Sequence, residues 1–119
     1  MKAFLVELIE RPPAVVLRLK GEARIDLSAL DMQATRLSAL RPAMVVLDMA
    51  GLTFCASVGM RSILSLRQRL VQAGSITRLA AVHPDVLDAF KRAAILPLLE
   101  VFPTVDQAMA APTASAAGA

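Results

Sequence analysis

A run of four consecutive apolar residues, Met44-Val45-Val46-Leu47, most constrains what this chain can fold into. An apolar run without polar alternation, ended here by Asp48, is typical of a strand that is buried on both faces. The segments on either side, residues 26–40 and 57–73, carry apolar side chains at helical spacing. A strand of this kind between two helices predicts an α/β fold with Met44–Leu47 in the central strand.

The remaining elements are predicted from apolar periodicity and from turn residues. Asp26 or Ser28 can cap the first helix and Gly74 can end the second. The predicted order is β-β-α-β-α-β-α-β-α, which indicates a sheet of four to five strands flanked by about four helices. We expect one domain over residues 1–110 and a disordered Ala-rich tail over residues 111–119. The predicted strands are an opening pair, Phe4–Ile9 and Ala14–Leu19, which Gly21 ends, and a later strand, Ile76–Val82. The other predicted segments are a helix from Pro84, a short apolar segment Leu98–Phe102 and a helix Thr104–Ala110.

Composition excludes several classes of function. Only 3% of the 119 residues are aromatic, and Trp and Tyr are absent, so the chain has no platform for stacking nucleic-acid bases. The net charge of +3 comes from scattered basic residues, which favours acidic partners over direct contact with nucleic acid. With a single His and a single Cys, we predict no metal site, no cofactor and no disulfide. The single Cys and the lack of an opening basic and apolar leader pattern indicate a cytoplasmic location. The apolar stretches are too short to span a bilayer, so we expect no direct membrane insertion.

Ser57 is the strongest candidate for a functional residue. It lies where a loop meets a predicted helix, and free backbone N–H groups and the helix dipole favour negative charge there. A phosphate on Ser57 would have Gly59 for close backbone approach and Arg61 one turn away. The alternative is that Ser57 serves only as an N-cap.

A serine-hydrolase site and a reactive cysteine are two further possibilities with less support in the sequence. Residues Cys55–Gly59 differ by one residue from the Gly-x-Ser-x-Gly motif of serine hydrolases. In that motif the serine follows its strand immediately, whereas residues 49–56 are expected to intervene here, and His83 and Asp85 stand in the wrong order for a triad. We therefore predict no enzymatic activity and no catalytic residue. Cys55 is interpreted as a buried apolar side chain, with a reactive thiol as the alternative.

Basic residues outnumber acidic ones between Ser57 and Arg92. The acidic residues of this stretch are Asp85 and Asp88. Solvated helix faces are the simple interpretation, and a basic rim beside the Ser57 loop that meets an acidic partner is the sharper one. The six basic residues are Arg61, Arg67, Arg69, Arg78, Lys91 and Arg92.

Residues 45–49 (Val-Val-Leu-Asp-Met) and 51–60 (Gly-Leu-Thr-Phe-Cys-Ala-Ser-Val-Gly-Met) resemble the STAS domain of anti-sigma-factor antagonists, and the similarity covers about residues 4–110. Gly21-Glu22 is similar to the family's Gly-Glu-Leu-Asp turn. The resemblance implies a mixed sheet flanked by helices. It also implies that a partner, both serine kinase and anti-sigma factor, binds the domain and phosphorylates the first Ser of an Asp-Ser-Ser/Thr-Gly motif.

Carried onto this chain, the resemblance makes Ser57 the expected phosphoacceptor. The expected partner-binding residues are Ala56, Ser57, Val58, Gly59, Met60 and Arg61. Ala56 stands where the motif has Asp, and Val58 replaces the second hydroxyl residue. STAS domains also occur as non-phosphorylated subunits of larger assemblies, such as ABC-type lipid-transport complexes, where the same loop docks on an ATPase subunit. That role is the alternative function.

Overall fold

Five strands form one sheet in chain order: β1 Leu5–Arg11, β2 Ala14–Ala23, β3 Met44–Cys55, β4 Ile76–Ala80 and β5 Val101–Phe102. β1 pairs antiparallel with β2, and every later pairing is parallel, so the sheet is mixed. These elements come from a computed structural model, which describes residues 2–112. The predicted α/β fold with a mixed sheet is confirmed, and Met44–Leu47 lie in the middle strand.

Four α-helices connect and flank the strands of the described chain: α1 Ser28–Leu40, α2 Ser57–Gln72, α3 Pro84–Arg92 and α4 Val105–Ala110. A 3-10 turn, Leu96–Leu98, precedes β5. α1 buries Leu30, Ala34 and Leu37 as its spacing predicts. Leu40, placed on the same apolar face by sequence, is 64% exposed, because the chain leaves the helix there and turns at Arg41 with φ 51°.

The side chains of β3 alternate between two cores on opposite faces of the sheet. Val45 and Leu47 belong to the large core, which also includes the buried residues of α1, α2 and α3. Val46 belongs to a smaller core with Val16, Ala80 and Ala108 of α4. Because Val45, Val46 and Leu47 are all 0–1% exposed, the strand is buried on both faces.

β2 and β3 both extend further than their apolar runs indicate. The prediction that Gly21 ends β2 is wrong, because Gly21 adopts φ +91° at an irregularity in the strand and pairing continues to Ala23 opposite Cys55. Asp48 does not end β3, because its carboxylate forms an ion pair with Arg18 on β2 at 3.4 Å. The longer β3 carries the chain directly to Ser57.

The other boundaries shift by a few residues. β4 ends at Ala80 instead of Val82, since Ala81 turns the chain with φ 57°. The cap of α1 is shared: Asp26 Oδ1 accepts hydrogen bonds from the N–H and the hydroxyl of Ser28, while Leu27 holds the N-cap position. Gly74 follows α2 with φ +95°, as its predicted C-cap role requires. Of the predicted tail, residues 113–119 lie outside the described residues.

Candidate partner-binding site

The Ser57 loop is a tight junction between β3 and α2. Cys55 ends the strand, Ala56 is the N-cap residue with an extended backbone, and Ser57 is the first helical residue. The Ala56 N–H donates to the Ala23 carbonyl of β2 at 2.9 Å, which holds the junction against the sheet. The loop predicted from sequence is therefore a single linking residue, and the start of α2 is fixed by backbone pairing.

The Ser57 side chain is exposed, and its hydroxyl makes no hydrogen bond to any described residue. Its alternative role as an N-cap is wrong, because Ala56 occupies that position and no side chain caps the helix. The first turn of α2 also has no acidic residue. Because the first N–H groups of a helix lack partners within it and carry the positive end of its dipole, a phosphate on Ser57 would meet a favourable field.

Gly59 is buried where α2 crosses the ends of β2 and β3. A Cβ added at Gly59 would lie 2.8 Å from the Cys55 sulfur and 2.9 Å from the Ala23 Cβ. Both distances are shorter than ordinary van der Waals contact, so the side chain of even an alanine has no room. Gly59 thus allows close helix-to-sheet packing, whereas sequence reasoning had assigned it to close approach of a phosphate.

Cys55 is a core residue. Its side chain is buried, and desolvation raises the pKa of its thiol from 9.0 to about 11. The thiolate is the reactive form of cysteine, and this environment suppresses it. The interpretation of Cys55 as a buried apolar side chain is confirmed, and the reactive-thiol alternative is wrong.

The other predicted contact residues differ in how much surface they offer. Val58 is 41% exposed, and Arg61 is also exposed. Met60 is only partly exposed, because its side chain packs against the large core. The accessible part of the predicted surface is therefore centred on Ser57, Val58 and Arg61.

Three residues that sequence reasoning missed lie beside this loop. Phe54, at the end of β3, is 39% exposed, and the Arg24 guanidinium stacks on its ring with Cζ 4.1 Å from the centroid. Ile25 follows Arg24 and is 84% exposed. Ile25 between charged neighbours was a visible signal in the sequence, but its location at the same end of the sheet as Phe54 depends on the pairing of Ala23 with Cys55.

The geometry around His83 is that of a helix cap. The expectation that residues 49–56 separate strand and serine is wrong, because β3 runs to Cys55. However, His83 Nδ1 accepts a hydrogen bond from the Asp85 N–H at 3.2 Å and caps α3. In a catalytic triad the same nitrogen must donate its proton to a carboxylate. His83 Nδ1 lies 3.9 Å from the Asp85 carboxylate, beyond hydrogen-bonding distance, so the orienting His–Asp hydrogen bond of a serine hydrolase does not form between them.

The predicted basic rim is not continuous. Arg78 is 0% exposed and lies under α4, so its inclusion was wrong. Arg92 pairs with Asp88 on α3, and Arg69 donates to the Thr35 hydroxyl on α1. Of the six residues, Arg61 is the exposed cation nearest in sequence to Ser57.

The described residues meet neither the requirements of a metal site nor those of a membrane-spanning helix. Residues 2–112 contain no group of three or more His, Cys, Asp or Glu side chains placed to hold a metal ion. Over the same residues, no helix is both long enough and apolar enough to cross a membrane.

Comparison with known structures places this fold among anti-sigma-factor antagonists and transporter domains. An anti-sigma factor antagonist from Mycobacterium paratuberculosis superposes with a TM-score of 0.80 at 18% identity, covering 90% of this chain and 92% of that one. The antagonist SpoIIAA in its unphosphorylated form gives 0.65 at 24% identity, covering 90% and 93%. The STAS domain of a SulP transporter from Vibrio cholerae gives 0.70 at 15% identity, covering 85% and 81%.

The sequence itself identifies the family. A search of curated protein sequences found no match. The family model of the STAS domain matches residues 5–108, which span all five strands and most of α4. The recognition made from the residues around Ser57 is confirmed: this chain belongs to the STAS domain family.

Proposed function

We propose that this chain is a non-enzymatic regulatory domain of the anti-sigma-factor antagonist type. It acts in the cytoplasm, binds an anti-sigma factor with serine-kinase activity through residues 56–61, and is switched by phosphorylation of Ser57. The observation that carries the proposal is the Ser57 hydroxyl, which is exposed and uncapped at the start of α2.

Two properties of the junction support a phosphorylation switch. The hydroxyl makes no hydrogen bond to a described residue, so a kinase need not break one to reach it. A phosphate adds about 1.5–2 negative charges, which the N-terminal end of α2 stabilises, while Val58 beside it is an apolar contact that such a charge would disturb. The switch therefore changes partner affinity without a change of fold.

The departures from the family motif are compatible with this role. Ala56 contributes through its backbone, since its N–H is bonded to Ala23 on β2. Val58 leaves Ser57 as the one hydroxyl between Thr53 and Ser62. Phosphorylation of this loop would therefore occur at a single position.

The test begins with the partner, which is captured by the wild-type chain from cells that contain it, identified by mass spectrometry and purified. We expect Ser57→Asp to weaken binding by about tenfold or more, because it places charge in an apolar contact. Ser57→Ala should bind within about twofold of wild type and take up no phosphate in the presence of ATP, measured by intact mass. Ser65→Asp is the matched control, since Ser65 is exposed further along α2.

Two further variants locate the binding face. Met60→Ala and Arg61→Ala should each reduce affinity if α2 docks through its first turns. Unchanged affinity in all four variants would refute the choice of face, and phosphate on a residue other than Ser57 would refute the switch.

The alternative function is a non-phosphorylated subunit of a larger assembly, such as the ATPase-docking subunit of an ABC-type lipid-transport complex. The exposed apolar side chain of Val58 favours it, because a permanent contact needs no hydroxyl at that position. The similarity to the Vibrio cholerae transporter domain adds fold-level support. In that case Ser57→Ala changes little, no phosphate appears, and the captured partner is an ATPase subunit.

A further inference from the structure

Resting on the proposed function, we propose that Arg24, Ile25 and Phe54 form a second contact region beside the Ser57 loop. This region receives a partner surface on which a carboxylate stands next to an apolar pocket. It determines which partner the domain accepts, whereas Ser57 determines when the domain binds.

Three apolar side chains are exposed at one end of the sheet. Ile25 is 84% exposed, Val58 41% and Phe54 39%. The parallel pairing that places Ala23 opposite Cys55 brings the segments that carry these three residues to the same end of the sheet. Apolar side chains that are exposed at the same end as a candidate docking loop favour an interaction surface there.

The Arg24 side chain is held in place in the free protein. Its Nε donates to Glu22 at 2.9 Å and its guanidinium stacks on Phe54, so the side chain is already ordered in the free protein. Its two terminal nitrogens make no hydrogen bond to any described residue, and the side chain is 41% exposed. An ordered guanidinium with free donors binds a carboxylate in two-pronged geometry at low entropic cost.

The charges around Arg24 indicate which group on a partner would complement it. The carboxylates near Arg24 already have partners: Glu22 accepts from Arg24, and Asp26 accepts two hydrogen bonds from Ser28. These bonds hold the pKa of each carboxyl below its ordinary value. Arg61, one turn into α2, is a further exposed cation. Asp85 and Asp88 of α3 line the same pocket as Phe54, and Asp88 is paired with Arg92. The open donors of Arg24 itself are cationic, and the group on the partner that complements them is an acid.

The nature of the residues agrees with this assignment. Arginine and aromatic side chains are enriched among the few interface residues that carry most of the binding energy, and an apolar residue beside them excludes water from the ion pair. Ile25 can fill a pocket because no described neighbour covers it, and Phe54 keeps Arg24 in position.

The experiment uses the full chain and the purified partner obtained above. We expect Arg24→Glu to weaken binding by more than about thirtyfold, Arg24→Lys by several-fold and Ile25→Ser by about tenfold. Arg36→Glu and Met32→Ser are matched controls, because both residues are exposed on α1 and should bind as wild type. Circular dichroism melting of each variant verifies that the fold is retained.

A charge-swap experiment identifies the carboxylate. Each Asp and Glu of the partner that becomes protected on binding is changed in turn to Lys, and one such change should restore affinity for Arg24→Glu to within about threefold of wild type. Wild-type affinity of Arg24→Glu, or no restoration by any of these changes, overturns the inference. If Met60→Ala and Arg61→Ala still lose affinity in that case, the proposed function stands alone; if no variant on either region loses affinity, both fail.

Discussion

Replacing Arg78 with Met removes a buried cation from beneath α4 while keeping most of its length. Arg78 lies on β4, is 0% exposed, and donates to the Glu100 carboxylate at 3.0 Å. It also donates to the carbonyls of Ala108, Ala111 and Pro112 at 2.6–2.8 Å. One side chain therefore satisfies three carbonyls at the end of α4, which a helix leaves without partners of its own.

The loss of stability in Arg78→Met depends on which former partners of Arg78 can be solvated after the substitution. Glu100 has a 41% exposed side chain and can be solvated where it stands. The three carbonyls can be solvated only if α4 lifts from the sheet, which uncovers Val46 and Ala80 in the smaller core. A buried acceptor left without a donor costs about 1–3 kcal/mol, so three such carbonyls, or the lifting of α4 that lets them reach water, give a loss of about 3–5 kcal/mol; an apolar replacement does not help because the carbonyls stay in place. We expect that loss for Arg78→Met, or a melting temperature lower by roughly 10–20 °C.

Urea unfolding measures the total loss, and deuterium exchange shows where it arises. The amides of residues 105–111 should exchange much faster in Arg78→Met, while those of Met44–Leu47 remain the slowest at matched stability. Arg92→Met is the control, because Arg92 is exposed on α3 and should change stability by no more than about 0.5 kcal/mol. A loss below about 1 kcal/mol for Arg78→Met, or unchanged exchange in α4, would refute this account of the buried arginine.

Two further predictions concern the junction around Ser57. Gly59→Ala should lower the free energy of unfolding by about 1–3 kcal/mol in urea melts, because its Cβ would lie 2.8 Å from the Cys55 sulfur; an unchanged midpoint would mean that α2 shifts freely. The Cys55 thiol, with its pKa raised to about 11, should resist alkylation at pH 8 until the chain unfolds. Because the folded pKa is above the unfolded value of 9.0, this thiol stabilises the fold below pH 9 and loses that contribution between about pH 9 and 11. Cys55→Ala should lack this part of the alkaline decline, and identical pH profiles would contradict it.

Local patterns were sufficient for the type and order of the elements. The apolar run at Met44–Leu47 predicted a doubly buried strand because no polar side chain interrupts it, and the structure buries it on both faces. Helical spacing placed α1 and α2 to within a residue or two, and Gly74 marked the end of α2 because a left-handed turn is needed there. The motif around Ser57 was sufficient for the family.

The ends of the strands could not be predicted from local patterns, because they depend on pairing with residues that are distant in sequence. Asp48 and Gly51 resemble a strand end and a loop, yet β3 continues through them. Arg18 on the neighbouring strand neutralises Asp48, and β2 stays paired with β3 as far as Ala23 through a register shift between Gly21 and Glu22. The hydrolase argument from an intervening loop failed for the same reason.

The sequence by itself determined the α/β order of elements, the central strand, the family and the position of Ser57 at a helix start, because these depend on side-chain periodicity and on neighbours within a few residues. Only the tertiary structure decided that Arg78 is buried, since the carbonyls that compensate its charge belong to residues 108–112. It alone brought Arg24 onto Phe54, thirty residues away in sequence. In both cases the environment of the charge is created by strand register and helix docking, which no local pattern encodes.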